Sequence, residues 1–84
     1  MPVISRFYGL VIKMYFLASE HNPPHIHIAY DDREGVLDII TMKMIESKLP
    51  SKAEAMAIEW AKAHQEELID MWKTQNIRKL PPLE

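Results

Sequence analysis

Apolar and polar residues alternate one by one along two segments in the first half of the chain. Every even position from Leu10 to Phe16 is a large apolar residue. The segment HIHIAY, residues 25–30, alternates in the same way, with isoleucines next to histidines. Because successive side chains of a β-strand point to opposite faces of a sheet, this period of two predicts strands with one buried face. Turn-forming DDREG and the short apolar segment VLDII follow, so residues 3–46 are expected to form three to five short antiparallel strands.

The second half of the chain has the 3.6-residue period of a helix. Its repeating positions form one stripe, which consists of Ala53, Ala57, Trp60, Ala61, His64, Leu68, Met71 and Trp72. Ser51 and Glu54 have the spacing of a capping box, in which each side chain satisfies an amide at the start of the helix. The sequence therefore predicts one long helix over residues 51–75. The tail NIRKLPPLE, residues 76–84, ends the helix with basic residues followed by two prolines, and we expect it to be loosely held.

Neither half of the chain is expected to be stable without the other. An amphipathic helix must bury its apolar stripe, and a small antiparallel sheet is unstable when water contacts both of its faces. We therefore predict a single α+β domain over residues 1–84, in which the helix packs across the aliphatic face of the sheet. That face is expected to consist of Ile12, Met14, Phe16, Ile26, Ile28, Leu37 and Ile39.

The same alternation places chemically versatile residues on the opposite face of the sheet. We expect Lys13, Tyr15, His25, His27 and Asp38 there, joined by Arg6 and Tyr8 if the first strand follows the same logic. Folding does not require this collection, so its members are candidate catalytic or binding residues. An open sheet face is also polar in proteins where it has no function, and that simpler interpretation stays open.

His25 and His27 have the spacing of a metal-binding pair. Residues two apart on a strand point the same way, with Cα atoms about 6.5–7 Å apart, so two imidazoles can converge on one ion. A third ligand from His21, Glu20 or Asp38 would complete a zinc site with an open position. The candidate metal ligands are therefore His21, His25 and His27, with zinc as the divalent metal considered.

Composition narrows the classes of function. The 84-residue chain has a formal net charge of −2, which disfavours a nonspecific nucleic-acid binder. It contains no cysteine, so disulfides and thiolate metal sites are excluded. No apolar segment is long enough to span a bilayer and the N-terminus lacks the pattern of a signal peptide, so we expect a cytoplasmic protein without a membrane partner. His64, the fourth histidine, is expected to be a core-edge residue bonded to a backbone carbonyl.

Several motifs of the chain resemble a bacterial family called domain of unknown function 4160. The motifs are RFYG, EHNPPHIHIAY, KLP and EWAKAHQEEL with a later tryptophan, and they cover the chain from Met1 to about Lys73. The family has no established activity, so no catalytic residues are carried over from it. The resemblance directs attention to the histidines inside its motifs, which are His21, His25, His27 and His64. Members are often encoded next to another small protein, which implies a two-protein module of the toxin–antitoxin kind.

Three functions follow from these observations. The first is a non-enzymatic interaction module that binds a partner protein or a second copy of itself. The second is a nuclease or hydrolase of the toxin class, with His25 or His27 as general acid or base. In that function Lys13 or Arg6 stabilises phosphate charge, and Tyr15 or Tyr8 stacks on a base. The third is a metal-binding protein that uses the His-x-His strand. The small size of the chain and its incomplete catalytic set favour the first.

Overall fold

A computed structural model describes residues 2–15 and 23–83, which form five strands followed by two helices. The strands are β1 (Val3–Phe7), β2 (Leu10–Lys13), β3 (His25–Tyr30), β4 (Arg33–Asp38) and β5 (Met44–Ser47). The helices are α1 (Ser51–Ala63) and α2 (Gln65–Thr74). The α+β class and the strand-rich first half are therefore confirmed.

The strands form an antiparallel sheet in the order β1-β2-β3-β4-β5. A two-residue turn, Tyr8–Gly9, joins β1 to β2, and both of its residues have positive φ, 48° and 83°. This is the type I′ geometry that matches the twist of a hairpin. The turn between β3 and β4 is also short, because Tyr30 pairs with Arg33. The predicted turn DDREG is thus limited to its first two residues, and the other three belong to β4.

The aliphatic side of the sheet packs against the helices, as the alternation predicts. Buried residues from both layers share one core, among them Ile12, Ile26, Ile28, Leu37, Ala57, Trp60 and Leu68. The register explains the arrangement, because Ile12 lies opposite Ile28 and Ile26 lies opposite Leu37. Phe16, which is expected on the same face, lies outside the described residues.

The prediction of one long helix is wrong, because the helix is interrupted at His64. This residue has φ −121° and ψ 20°, ends α1 and precedes α2. The local sequence AKAHQEEL contains neither proline nor glycine, so tertiary contacts must support the interruption. The side chain of Gln65 donates hydrogen bonds to the backbone carbonyls of Ile39 and Ile40, and the His64 ring lies 5.0 Å from the ring of Trp60. The Gln65 bonds fasten the start of α2 to the turn that follows β4, and the ring contact packs His64 against α1.

The predicted capping box does not form. Pro50, in an extended conformation, is the N-cap of α1, and no side chain makes a cap hydrogen bond there in the described structure. Ser51 is instead the first helical residue. Glu54 accepts a hydrogen bond from the hydroxyl of Ser47, and that hydroxyl accepts one from the Leu49 amide at 3.1 Å. Glu54 therefore connects the helix to the end of β5 rather than to its own first turn.

The segment after α2 packs along β1, whereas the sequence suggests a loose tail. We call residues 76–83 the strap. Leu80 is buried, and its amide donates to the carbonyl of Ile4 at 2.9 Å. The indole Nε1 of Trp60 donates to the carbonyl of Pro81 at 2.7 Å. The strap therefore covers the outer edge of β1. It is held there by the buried side chain of Leu80 and by these two hydrogen bonds.

Candidate functional site

The face of the sheet opposite the helices carries most of the residues that the sequence singles out. We call it the histidine face, and its members are Lys13, Tyr15, His25, His27, Glu34, Val36 and Glu46. The register places Lys13 opposite His27, His27 opposite Val36, and Val36 opposite Glu46. One row of side chains therefore crosses four strands from a lysine to a glutamate, with His27 inside it.

Aromatic and imidazole rings contact one another along this face. The ring centroids of Tyr15 and His27 are 4.4 Å apart, with an angle of 81° between the ring planes. The rings of His27 and His25 are 5.1 Å apart, and the His25 ring lies 5.1 Å from that of Trp72 on α2. Edge-to-face contacts at such distances are favourable for aromatic rings. The four rings thus form a continuous row that ends at the second helix.

His25 is less exposed than the sequence predicts. Only 8% of its surface is accessible, because Trp72 packs against it where α2 reaches the end of the sheet. The Nδ1 atom lies 2.7 Å from the carbonyl oxygen of Pro23. Since a carbonyl can only accept, Nδ1 carries a proton in this contact. The Pro23 carbonyl before β3 thereby orients the ring of His25. His27 is half-buried.

Charged side chains surround His27. The Nζ atom of Lys13 lies 3.4 Å from Oε1 of Glu34, and the lysine side chain is only 14% exposed. A surface depression of about 500 Å³ adjoins His27 on the side of β4 and β5. Its charged lining residues are Asp32, Glu34, Glu46 and Lys48. Three carboxylates and one lysine give this depression a negative local charge.

Asp38 serves the fold rather than the ring row. It lies opposite His25 in the register, but its Oδ1 accepts hydrogen bonds from the amides of Ile40 and Thr41 at 2.8 and 3.1 Å. A carboxylate bound to two amides of its own turn stabilises that turn. This arrangement makes Asp38 a structural residue of the β4–β5 connection.

The structure adds no support for a metal centre. Within residues 2–15 and 23–83, no group of three or more histidine, aspartate or glutamate side chains is arranged to hold a metal ion. The expected third ligands His21 and Glu20 lie outside the described residues. A zinc site that includes His25 and His27 therefore stays a prediction.

The other sequence candidates lie away from the histidine row. His64 packs against Trp60, and its Nδ1 lies 3.1 Å from Oε1 of Glu67. It is a core-edge histidine as predicted, although its partner is a carboxylate rather than a backbone carbonyl. Arg6 is exposed on the edge strand β1, where its register partner Val11 puts it on the same side of the sheet as Lys13. Tyr8 is 61% exposed in the first turn.

Sequence reasoning missed several residues that shape the site. The place of Glu34 on this face could have been predicted, because Glu34, Val36 and Asp38 are alternate residues of one strand and point to the same side. Glu46 could not, because an irregularity in the register between Val36 and Leu37 changes the alternation of β5 relative to β4. The contact of Trp72 with His25 has no local signal in the sequence.

The fold and the site together define a small α+β protein with helices on one face of its sheet and an imidazole-bearing row on the other. Residues 9–73 match the family described as "Domain of unknown function (DUF4160)", and the chain belongs to this family. The resemblance inferred from its motifs is thus confirmed. No curated protein and no solved structure matches the chain significantly. Neither helix in the described ranges has the length and apolar character needed to cross a lipid bilayer.

Proposed function

We propose that this protein is an interaction module and that its histidine face binds a partner protein. The proposal rests on the composition of that face, where the rings of Tyr15, His27 and His25 are bordered by an ion pair and an acidic depression. Tyr15 and His27 are partly exposed, whereas His25 and Trp72 are already buried. Rings that become buried on binding contribute a large contact area at a small cost in conformational entropy, so they often dominate interface energies. Charges around the rings then determine which partner binds and in which orientation.

The charge of the depression indicates the chemistry of the partner. Its three carboxylates and one lysine attract basic side chains and repel phosphate groups. A protein surface with lysine or arginine residues therefore fits better than a nucleic-acid backbone, and the net charge of −2 points the same way. The family resemblance supports a partner encoded next to this protein, as in a toxin–antitoxin pair.

The decisive experiment is a calorimetric titration with the product of the adjacent gene, combined with light scattering to detect self-association. Glu46→Lys reverses a charge in the depression, and Glu59→Lys makes the same change on the exposed side of α1 as a matched control. We expect Glu46→Lys to weaken binding by about tenfold or more and Glu59→Lys to leave it unchanged. A strictly monomeric protein that does not bind the neighbouring product would refute the proposal, as would equal effects of the two variants.

A hydrolase or nuclease of the toxin class is the second candidate. Lys13 lies opposite His27 across β2 and β3, and the carbonyl of Pro23 orients the ring of His25. An imidazole that lies opposite a lysine, as His27 lies opposite Lys13, can transfer a proton while the ammonium stabilises developing negative charge. The acidic depression next to these groups disfavours a phosphodiester substrate, which is why we prefer the interaction module.

Loss of single imidazoles separates the two candidates. His27→Ala removes the ring inside the row, and His64→Ala removes a histidine that packs against Trp60 outside the histidine face. The proteins are compared for growth arrest on expression and for RNA cleavage after purification. Activity that is lost only in His27→Ala would establish the hydrolase, and a wild type without either activity would exclude it.

A further inference from the structure

The strap occupies the edge of β1 only partly. In the described chain one backbone hydrogen bond joins the two segments, from the amide of Leu80 to the carbonyl of Ile4. Pro81 and Pro82 come next, and proline has no amide hydrogen to donate. The ladder therefore cannot continue past Leu80, and the indole of Trp60 holds the strap at the carbonyl of Pro81 instead.

A hollow of about 280 Å³ lies between the strap and β1. It is lined by residues 3–6 of β1 and by Lys79, Leu80 and Pro82 of the strap. Ser5 in this lining is 7% exposed, and its hydroxyl is the buried side-chain group that has no hydrogen-bond partner among the described residues. The strap thus closes the edge without filling it and without satisfying its buried hydroxyl.

The edge also presents backbone groups for pairing. Phe7 and Leu10 flank the two-residue turn of the first hairpin, and hydrogen-bonded pairs alternate with non-bonded pairs from there along an antiparallel ladder. Arg6, which lies opposite Val11, therefore directs its amide and carbonyl away from β2. Outward-directed backbone groups on an edge strand are a template for an added strand.

We propose that the β1 edge is a docking site for an extended acidic segment of a partner protein, and that this segment displaces the strap. The strap itself shows the binding mode, with an aliphatic side chain in the core at the position of Leu80 and a backbone bond to Ile4. A segment without proline extends the ladder to Arg6, and a carboxylate on that segment faces the exposed guanidinium. The docking edge is distinct from the depression beside His27, and Arg6, opposite Val11, lies at the border of the same sheet face. The proposal concerns backbone pairing at this edge and does not depend on the function proposed above.

The first test uses a fluorescent peptide, EVLEVTE, and a control peptide of the same sequence with N-methyl groups on alternate amides, which cannot pair as a strand. Binding is measured by fluorescence anisotropy with the full-length wild type and with Leu80→Ser, which removes the apolar anchor of the strap. We expect Leu80→Ser to bind the peptide about tenfold more tightly, because the apparent affinity rises with the fraction of molecules whose edge is open. Arg6→Glu should weaken binding, and Arg33→Glu on β4 is the matched control.

The second test needs no variant, so it is decisive even if Leu80→Ser does not fold. Amide hydrogen exchange of the wild type is measured with and without the peptide. Exchange at the Leu80 amide should become faster, since its bond to Ile4 is broken, and exchange at the Arg6 amide should become slower. Unchanged exchange at both amides at the highest soluble peptide concentration would overturn the proposal. Equal binding of the N-methylated peptide, or equal effects of Arg6→Glu and Arg33→Glu, would also overturn it.

Discussion

The buried hydroxyl of Ser5 leads to a substitution that should make the protein more stable. Ser5 lies opposite Ile12 in the register, is 7% exposed and has no hydrogen-bond partner for its hydroxyl in the described structure. Ser5→Ala removes the oxygen and keeps the rest of the side chain. An unsatisfied buried hydroxyl costs about 1–3 kcal/mol, whereas the small void left by one oxygen atom costs ~0.3 kcal/mol. We therefore expect the free energy of unfolding to increase by about 1 kcal/mol.

Urea titration and thermal unfolding followed by circular dichroism measure this change. In a domain of this size, 1 kcal/mol corresponds to a shift of about 4–8 °C in Tm. Ser47→Ala is the matched control, because the Ser47 hydroxyl donates to Glu54 and accepts from the Leu49 amide. The control should lower the free energy of unfolding by about 1 kcal/mol. If Ser5→Ala destabilises the protein as much as Ser47→Ala does, the Ser5 hydroxyl is hydrogen-bonded in solution and the reasoning is refuted.

Three further substitutions test the fold around the site. Gly35→Ala should lower the free energy of unfolding by about 1–3 kcal/mol in urea, because an added Cβ would lie 2.7 Å from Met44 Cε and 2.9 Å from Leu49 Cδ1. An unchanged value would mean that both side chains move aside without cost. Tyr8→Asn should raise Tm by an amount that corresponds to about 1 kcal/mol, because φ is 48° at this position and asparagine tolerates that conformation better. A lower Tm would contradict this account of the turn. Asp38→Ala should cost about 2 kcal/mol of stability through the loss of two amide hydrogen bonds, with partner binding unchanged in calorimetry. Lost binding at unchanged stability would place Asp38 in the site instead.

The two faces of the sheet could be predicted because strand alternation is a local property. The shared face of Lys13 and His27 follows from the period of two in each strand, whereas their direct pairing in the register is seen only in the structure. The burial of Ile12 and Ile28 under the helices follows from the same pattern. The prediction of a shared site on the other face therefore required only the assumption that helices cover the more apolar side.

The interruption of the helix and the burial of His25 could not be predicted in this way. Both depend on contacts between residues far apart in the sequence, since Gln65 bonds the carbonyl of Ile39 and Trp72 packs against His25. Single-residue propensities contain no information about such pairs, and tertiary contacts override them. The same limit applies to the strap. Its prolines predict that the segment is not helical, but they do not predict its contact with Trp60.

The two edges of the sheet are protected against pairing by different means. At the β5 edge the strand has four residues, its register with β4 is irregular, and Lys43 and Lys48 flank it. Short length, irregular pairing and flanking lysines all act against the addition of another strand, and they are permanent features of the strand itself. At the β1 edge the protection comes from the strap, which a competing segment can displace by breaking its bonds to Ile4 and to the Trp60 indole and withdrawing Leu80 from the core. Because the strap can be removed, strand addition can be regulated at the β1 edge. The permanent protection of β5 and the removable protection of β1 together direct an incoming segment to β1.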